Sequence, residues 1–167
     1  PESNLMHKKM LAVSDLHDKV SGMPDVDEAD LAKARDLLYA GQCNCPYWHG
    51  VFGGLYLPHL RQAIYARLIE AETILRRLSR TSVFIVEEDR DRDGNDEIIL
   101  GGVDLSMVLA PANGGRILEL DLLANNVNIA DCLTRRREGY HRKLLESQKG
   151  PDAEPGDDKT KSIHDRV

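Results

Sequence analysis

Near Ser82 the spacing of apolar residues changes period, and this change excludes both an all-helical and an all-β fold. Before it, Met6, Met10, Val13, His17 and Val20 recur at three- and four-residue steps, one face of a helix. Ser3 is placed to cap that helix and Gly22 to end it, and Pro24 blocks continuation. Asp27 is the expected N-cap of a second helix, with Leu31, Ala34 and Leu38 on its inner face and Gly41 at its end. Glu28 and Asp30 stand in its first turn, where the helix dipole favours acids. Pro58 opens a third helix at the position where proline fits best, with a stripe of Leu60, Ile64, Leu68, Ala71, Leu75 and Leu78. After Ser82 the runs are short and strand-like: 83–86, 97–100, 104–109 and 116–120, punctuated by Gly101-Gly102 and Asn113-Gly114-Gly115. Strands this close in sequence predict an antiparallel meander. The expected fold is α+β, with a three-helix segment over 1–79, a short linker, and an incomplete antiparallel sheet over 82–167. Residues 131–146 are expected to return to helix, and the polar, Pro- and Gly-bearing stretch 147–161 to form a mobile loop.

Composition narrows the partners. The net charge of −6 offers no basic excess to neutralise phosphates, so nucleic acid is not an expected partner. No stretch approaches the roughly 18 apolar residues of a membrane helix, so no membrane is expected either. No charged segment leading into an apolar run stands at the N-terminus, so no signal peptide is visible. Cys43, Cys45 and Cys132 are an odd set, which argues against a disulfide framework and fits a reducing, cytoplasmic compartment.

Residues 42–57 break all periodicity. Aromatics and glycines crowd into Tyr47-Trp48-His49-Gly50-Val51-Phe52-Gly53-Gly54-Leu55-Tyr56, although the whole chain has one Trp and two Phe. Sugar recognition uses a flat aromatic face against the C–H face of a pyranose, with amide and imidazole groups for the hydroxyls. Trp48 supplies such a face, and Gln42, Asn44 and His49 supply such groups. The same composition also suits a packed helix junction around a buried Trp. A zinc site on Cys43, Cys45 and His49 lacks the usual ligand spacing and a second distant pair, so inert cysteines are expected.

Two other segments carry charge patterns. In Asp89-Arg90-Asp91-Arg92-Asp93-Gly94-Asn95-Asp96-Glu97, acids alternate and a glycine follows the third, as in the front half of a calcium loop. Asp89, Asp91, Asp93, Asn95 and Glu97 are the expected ligands of a structural Ca2+. Leu100 stands where an EF-hand needs its bidentate Glu, so the motif is not an EF-hand. The alternative is an acidic hairpin tip partly offset by Arg90 and Arg92. The basic run 134–143 reads as a solvated helix face or an interdomain contact. No carboxyl pair suited to glycoside hydrolysis is apparent: Glu70 and Glu72 point in different directions on a helix, and Asp104, Glu119 and Asp121 lie in or beside strands without a visible His or Arg partner.

The run Gln42-Cys43-Asn44-x-x-Tyr47-Trp48-His49-Gly50-x-Phe52-Gly53-Gly54, continued by Leu55-Tyr56-Leu57-Pro58-His59-Leu60-Arg61, closely resembles the last signature segment of family 57 glycoside hydrolases, in the α-amylase and 4-α-glucanotransferase branch. Residues 1–8 resemble the helical region before that signature. The acidic run at 89–94 resembles the start of the family's C-terminal β-sandwich, 113–120 and 133–141 its early strands, and 162–165 a later part of it. The resemblance implies a piece of an enzyme with a (β/α)7 barrel, a helical bundle and a β-sandwich. Such an enzyme acts on an α-glucan or maltooligosaccharide by retaining cleavage or transfer, without a catalytic cofactor. The Glu nucleophile and Asp acid/base it implies belong to barrel segments before Pro1, so these residues alone imply no catalysis. By the same resemblance Trp48 stacks on or flanks a glucose ring. One position departs from the family pattern: Cys45 stands where an Asp usually binds sugar, and a thiol is a poor substitute for an acceptor-only carboxylate. A calcium-stabilised, non-catalytic carbohydrate-binding or interaction module is the alternative from another class.

Overall fold

The structure is a computed structural model that describes residues 2–48 and 53–134. The expected return to helix beyond residue 134, the loop 147–161 and nearly all of the basic run at 134–143 lie outside the described residues. Three helices come first: α1 (Glu2–Ser21), α2 (Glu28–Gly41) and α3 (Pro58–Leu78). Five strands follow: β1 (Phe84–Glu88), β2 (Glu97–Gly101), β3 (Leu105–Ala110), β4 (Arg116–Leu122) and β5 (Val127–Asn128). The sheet is wholly antiparallel with its strands in chain order, the meander that the short connections predict.

Local chemistry explains most of the boundaries. Asp27 caps α2 by accepting from the Asp30 amide at 2.8 Å. Pro58 is the first residue of α3, where its missing N–H costs nothing. Ser3 is a difference: α1 starts at Glu2, so Ser3 lies inside the helix and its hydroxyl serves a tertiary contact instead of a cap. The two-residue strand β5 is not anticipated by the sequence pattern, being too short to show alternation.

The helical core joins Val13 and Val20 of α1 to Ala34 and Leu38 of α2 and to Ile64, Leu68, Ala71 and Leu75 of α3. At Gly41 the end of α2 presses on α3 so closely that a Cβ there would fall 2.6 Å from a Leu68 methyl. Under the sheet, Ile99, Val108, Ala110 and Leu118 form a second cluster, with Leu5 of α1 packed against it. β1 is fastened by a stack: Phe84 lies over Gly101, its register partner, and the Arg76 guanidinium lies 3.6 Å from the centre of the Phe84 ring. Both faces of the sheet carry apolar residues. Ile99 and Val108 face inward, while Ile85, Leu100, Met107 and Leu120 follow one another across β1 to β4 on the outer face.

Lys9 joins the helices to the sheet. It is 1% exposed, and its ammonium lies 3.1 Å from Glu72 of α3, 2.5 Å from Glu119 and 2.8 Å from Asp121 of β4. Glu119 and Asp121 are two residues apart on one strand, so they share its inner face. Burial by itself would lower the Lys9 pKa, but Asp121, Glu119 and Glu72 outweigh it and hold the pKa well above its ordinary value. Burial works against ionisation of Glu72 too, yet Lys9, Arg76 and Arg90 hold its pKa well below the usual carboxylate range. Asp121 goes the other way. Burial and then the Glu119 charge push it up to about 8 despite the Lys9 contact. A second buried pair, Arg61–Asp131 at 2.7 Å, ties α3 to the segment after β5.

Candidate functional site

The aromatic–glycine segment connects the end of α2 to the start of α3. Its first half ends in a short 3-10 turn, Cys45–Tyr47, and its second half holds another, Gly54–Tyr56. Gln42, Asn44 and Cys45 are exposed, and Trp48 is 53% exposed. The packed junction with a buried Trp is therefore not what forms. Tyr47 fills the junction, contacting the helical core and the neighbouring cluster of Met6, Tyr65 and Ile69. Gln42 has one weak contact, its amide nitrogen 3.9 Å from the Met10 sulfur. Asn44 caps nothing with its side chain. Three of the four expected sugar-binding residues thus stand on one loop with their polar or aromatic groups toward solvent. His49 lies outside the described residues.

The backbone of this loop is closely held. Leu55 N–H donates to the Trp48 carbonyl at 2.9 Å, joining the two halves. Gly54 has φ +47°, and a Cβ there would fall 2.0 Å from the Trp48 carbonyl oxygen, so only glycine permits the crossing. Arg61 donates to the Leu55 carbonyl at 2.7 Å while holding Asp131, which anchors the second half to α3.

The acidic hairpin between β1 and β2 gathers oxygen ligands at its base. Ligand atoms of Asp89, Asp91 and Glu97 all lie within 4.8 Å of one another. The two Asp89 oxygens accept the amides of Asp93 and Gly94, and Glu97 accepts those of Arg90 and Asp91. Asp93 accepts both nitrogens of Asn95, so these two residues bond to each other at the tip. Asp91 Oδ1 is buried without a hydrogen-bond partner. Burial raises the pKa of both Asp91 and Glu97, with further upward contributions from Asp93 and Asp89 on Asp91. Three carboxylates, one with an unused buried oxygen, form an arrangement that a hard divalent cation neutralises.

Glu119 and Asp121, two residues apart on β4, are not suited to attack a substrate. Both are buried and both are bound to Lys9. Lys9 itself is absent from the site residues expected from sequence, because its three partners lie 63, 110 and 112 residues away. Among the described residues, no helix is long and apolar enough to cross a membrane.

Comparison with known proteins finds likeness over nearly the whole chain. The family model for the alpha-amylase/4-alpha-glucanotransferase middle domain matches residues 1–75, and the model for that family's C-terminal domain matches residues 89–167. Alpha-amylase 1 of Dictyoglomus thermophilum is 46% identical over 144 residues, covering 86% of this chain and 20% of that protein. The 4-alpha-glucanotransferase of Thermococcus kodakarensis is 39% identical over 165 residues, covering 99% of this chain and 22% of that protein. The crystal structure of 4-alpha-glucanotransferase from Thermococcus litoralis superposes with a TM-score of 0.68 at 39% identity, over 84% of this chain and 20% of that one. The chain therefore spans about a fifth of the length of the relatives it matches.

Proposed function

The chain belongs to the alpha-amylase/4-alpha-glucanotransferase family that its aromatic–glycine segment resembles, and from this premise we propose that it supplies the substrate-site edge of an enzyme acting on α-1,4-glucans. The observation that carries the proposal is the exposure of Trp48 on a tightly held loop that also exposes Gln42 and Asn44. An indole face in water is well placed to receive the C–H face of a glucose ring, with the two amides and His49 taking hydroxyls. Hydrolysis or transfer then proceeds through a Glu nucleophile and an Asp acid/base outside this sequence, with the paired carboxyl geometry of a retaining enzyme. The Cys45 thiol offers sugar hydroxyls less than a carboxylate would, which leaves more of the recognition to Asn44 and Trp48.

The test uses the single Trp of the chain as its own reporter. Titration with a maltooligosaccharide at millimolar concentration is expected to change the Trp48 emission, and Trp48→Ala to abolish binding measured by calorimetry. An emission unchanged up to saturating sugar in the folded protein would remove Trp48 from the site.

We further propose a structural Ca2+ at the base of the acidic hairpin. Asp89, Asp91 and Glu97 are its principal ligands, and Asp93 and Asn95 order the tip. Asp91 Oδ1 supports this most directly, since a buried carboxylate oxygen without a partner is costly unless a cation or proton meets it. Calcium at about 100 times its dissociation constant is expected to stabilise the fold by roughly 2.7 kcal/mol. Chelation by EDTA should reverse the gain, and Asp91→Asn should make melting insensitive to both. A melting temperature unmoved by EDTA counts against the site.

The domain organisation proposed alongside is a helical segment over 1–79, adjoining a catalytic barrel, and a β-sandwich beginning at 82. The outer face of the sheet supports this division, because Ile85, Leu100, Met107 and Leu120 form an apolar surface of the kind that a second sheet covers. Three cysteines without a disulfide among them fit a cytoplasmic location.

A further inference from the structure

Trp48 is more than half exposed, yet the residue before it is fastened at every end. The Tyr47 hydroxyl donates to the Gly41 carbonyl at 2.5 Å. That carbonyl belongs to the last turn of α2 and has no partner within the helix. The Tyr47 ring stands edge-on to His7 of α1, with centres 6.5 Å apart and planes at 87°. Its amide donates to the Asn44 carbonyl at 3.1 Å, closing the 3-10 turn, and its own carbonyl accepts from the Ser3 hydroxyl. One side chain thus joins the end of α2 to the first turns of α1, and the indole begins one residue later. On its other side the Trp48 backbone is fixed by Leu55 N–H and by the close crossing at Gly54.

We propose that Tyr47 is a positioning residue, holding the Trp48 backbone against the ends of α1 and α2 so that the indole meets a sugar ring already oriented. The proposal rests on Trp48 being the sugar platform. The physical reason for such a clamp is preorganisation: an exposed aromatic on a loose loop loses conformational freedom when it binds, and one on a fixed backbone loses less. The clamp also keeps its donor at any working pH. Burial, and then the neighbouring Cys43 thiol, push the Tyr47 phenol well above its ordinary pKa, so the hydroxyl stays protonated.

Tyr47→Phe removes the bond to Gly41 and keeps the ring, and Ser3→Ala removes the bond to the Tyr47 carbonyl. In the 167-residue chain Trp48 is the only Trp, so its emission reports this site alone. With circular dichroism unchanged, Tyr47→Phe is expected to lower the fluorescence anisotropy of sugar-free Trp48 and to raise its quenching by acrylamide. Maltooligosaccharide affinity is expected to fall about fivefold to tenfold, the scale of one hydrogen bond. Ser3→Ala should move all three readouts the same way by less, and it decides the matter if Tyr47→Phe does not fold. Anisotropy and acrylamide quenching equal to those of the parent in both variants would overturn the clamp. If both readouts move but sugar leaves the emission of parent and variants unchanged, the clamp holds and the sugar role of Trp48 fails.

Discussion

Replacing Lys9 with alanine is expected to destabilise the fold by on the order of 3–5 kcal/mol, a large share of what a domain of this size has. The loss comes from what stays behind. Glu72, Glu119 and Asp121 converge on one ammonium in a place that water scarcely reaches, and without it these buried carboxyl groups lose the donor they share. Lys33→Ala is the comparison, since it removes a pair with Glu70 in which Lys33 is more than half exposed. That change should cost no more than about 1 kcal/mol. Urea denaturation of both variants checks the contrast, and losses of similar size would mean that the buried cluster has no special weight. The arrangement also predicts a rescue. Lys9→Met combined with Glu119→Gln and Asp121→Asn should recover much of the stability, because Glu72 keeps Arg76 at 2.6 Å and the partners that remain are neutral.

Stability should also fall as pH rises from about 4 to 8, with Asp121 as the principal cause. Its carboxyl is held up to about 8 in the fold by burial and by Glu119, whereas in the unfolded chain it ionises near pH 4. Between those values the folded state carries a proton that the unfolded state has released. Stability is therefore greatest below the unfolded value and is lost toward the folded one, by up to about 1.4 kcal/mol per pH unit for one proton. Glu72 has the opposite sign: its depressed pKa stabilises the fold above the ordinary carboxylate range and stops doing so in stronger acid. Lys9 loses its contribution only in strong alkali. Asp121→Asn imitates the protonated acid and should remove most of the slope. A smaller slope of the same sign should remain from Asp91 and Glu97, whose pKa values are also raised, and calcium should flatten it. Urea midpoints measured across this range decide the point, and a slope that Asp121→Asn leaves intact would place the proton elsewhere.

The elements of the fold were legible where local chemistry decides them. Asp27 and Pro58 announce helix starts, and alternation with paired glycines announces strands. Ser3 illustrates the limit. A serine near a helix start looks like a cap, but a tyrosine 44 residues away claims its hydroxyl. Lys9 was hidden for the same reason, since nothing within a helical turn distinguishes it from a surface lysine. A trace of it was present in β4. Leu120 and Leu122 lie on one side of that strand, which sends Glu119 and Asp121 to the other, against the helices. Two acids facing a core require a cation, and only the fold shows which one. At the site, the concentration of aromatics and glycines marked the right loop, but composition could not tell a buried Trp from an exposed one. Tyr47, half-buried, packs against the core, while Trp48 stands exposed.

The Lys9 cluster bears on how this region can be recombined. Its cation comes from the part matched by the middle-domain model, as does Glu72, while Glu119 and Asp121 come from the part matched by the C-terminal one. A chimera that grafts these helices onto a relative's sheet brings a lysine that needs two acids spaced two residues apart on the facing strand. A graft in the other direction brings two acids that need the lysine. Segment boundaries drawn for shuffling at the linker near residue 80 therefore cut through one electrostatic unit, and viable crossovers should be those in which both halves of the cluster travel together.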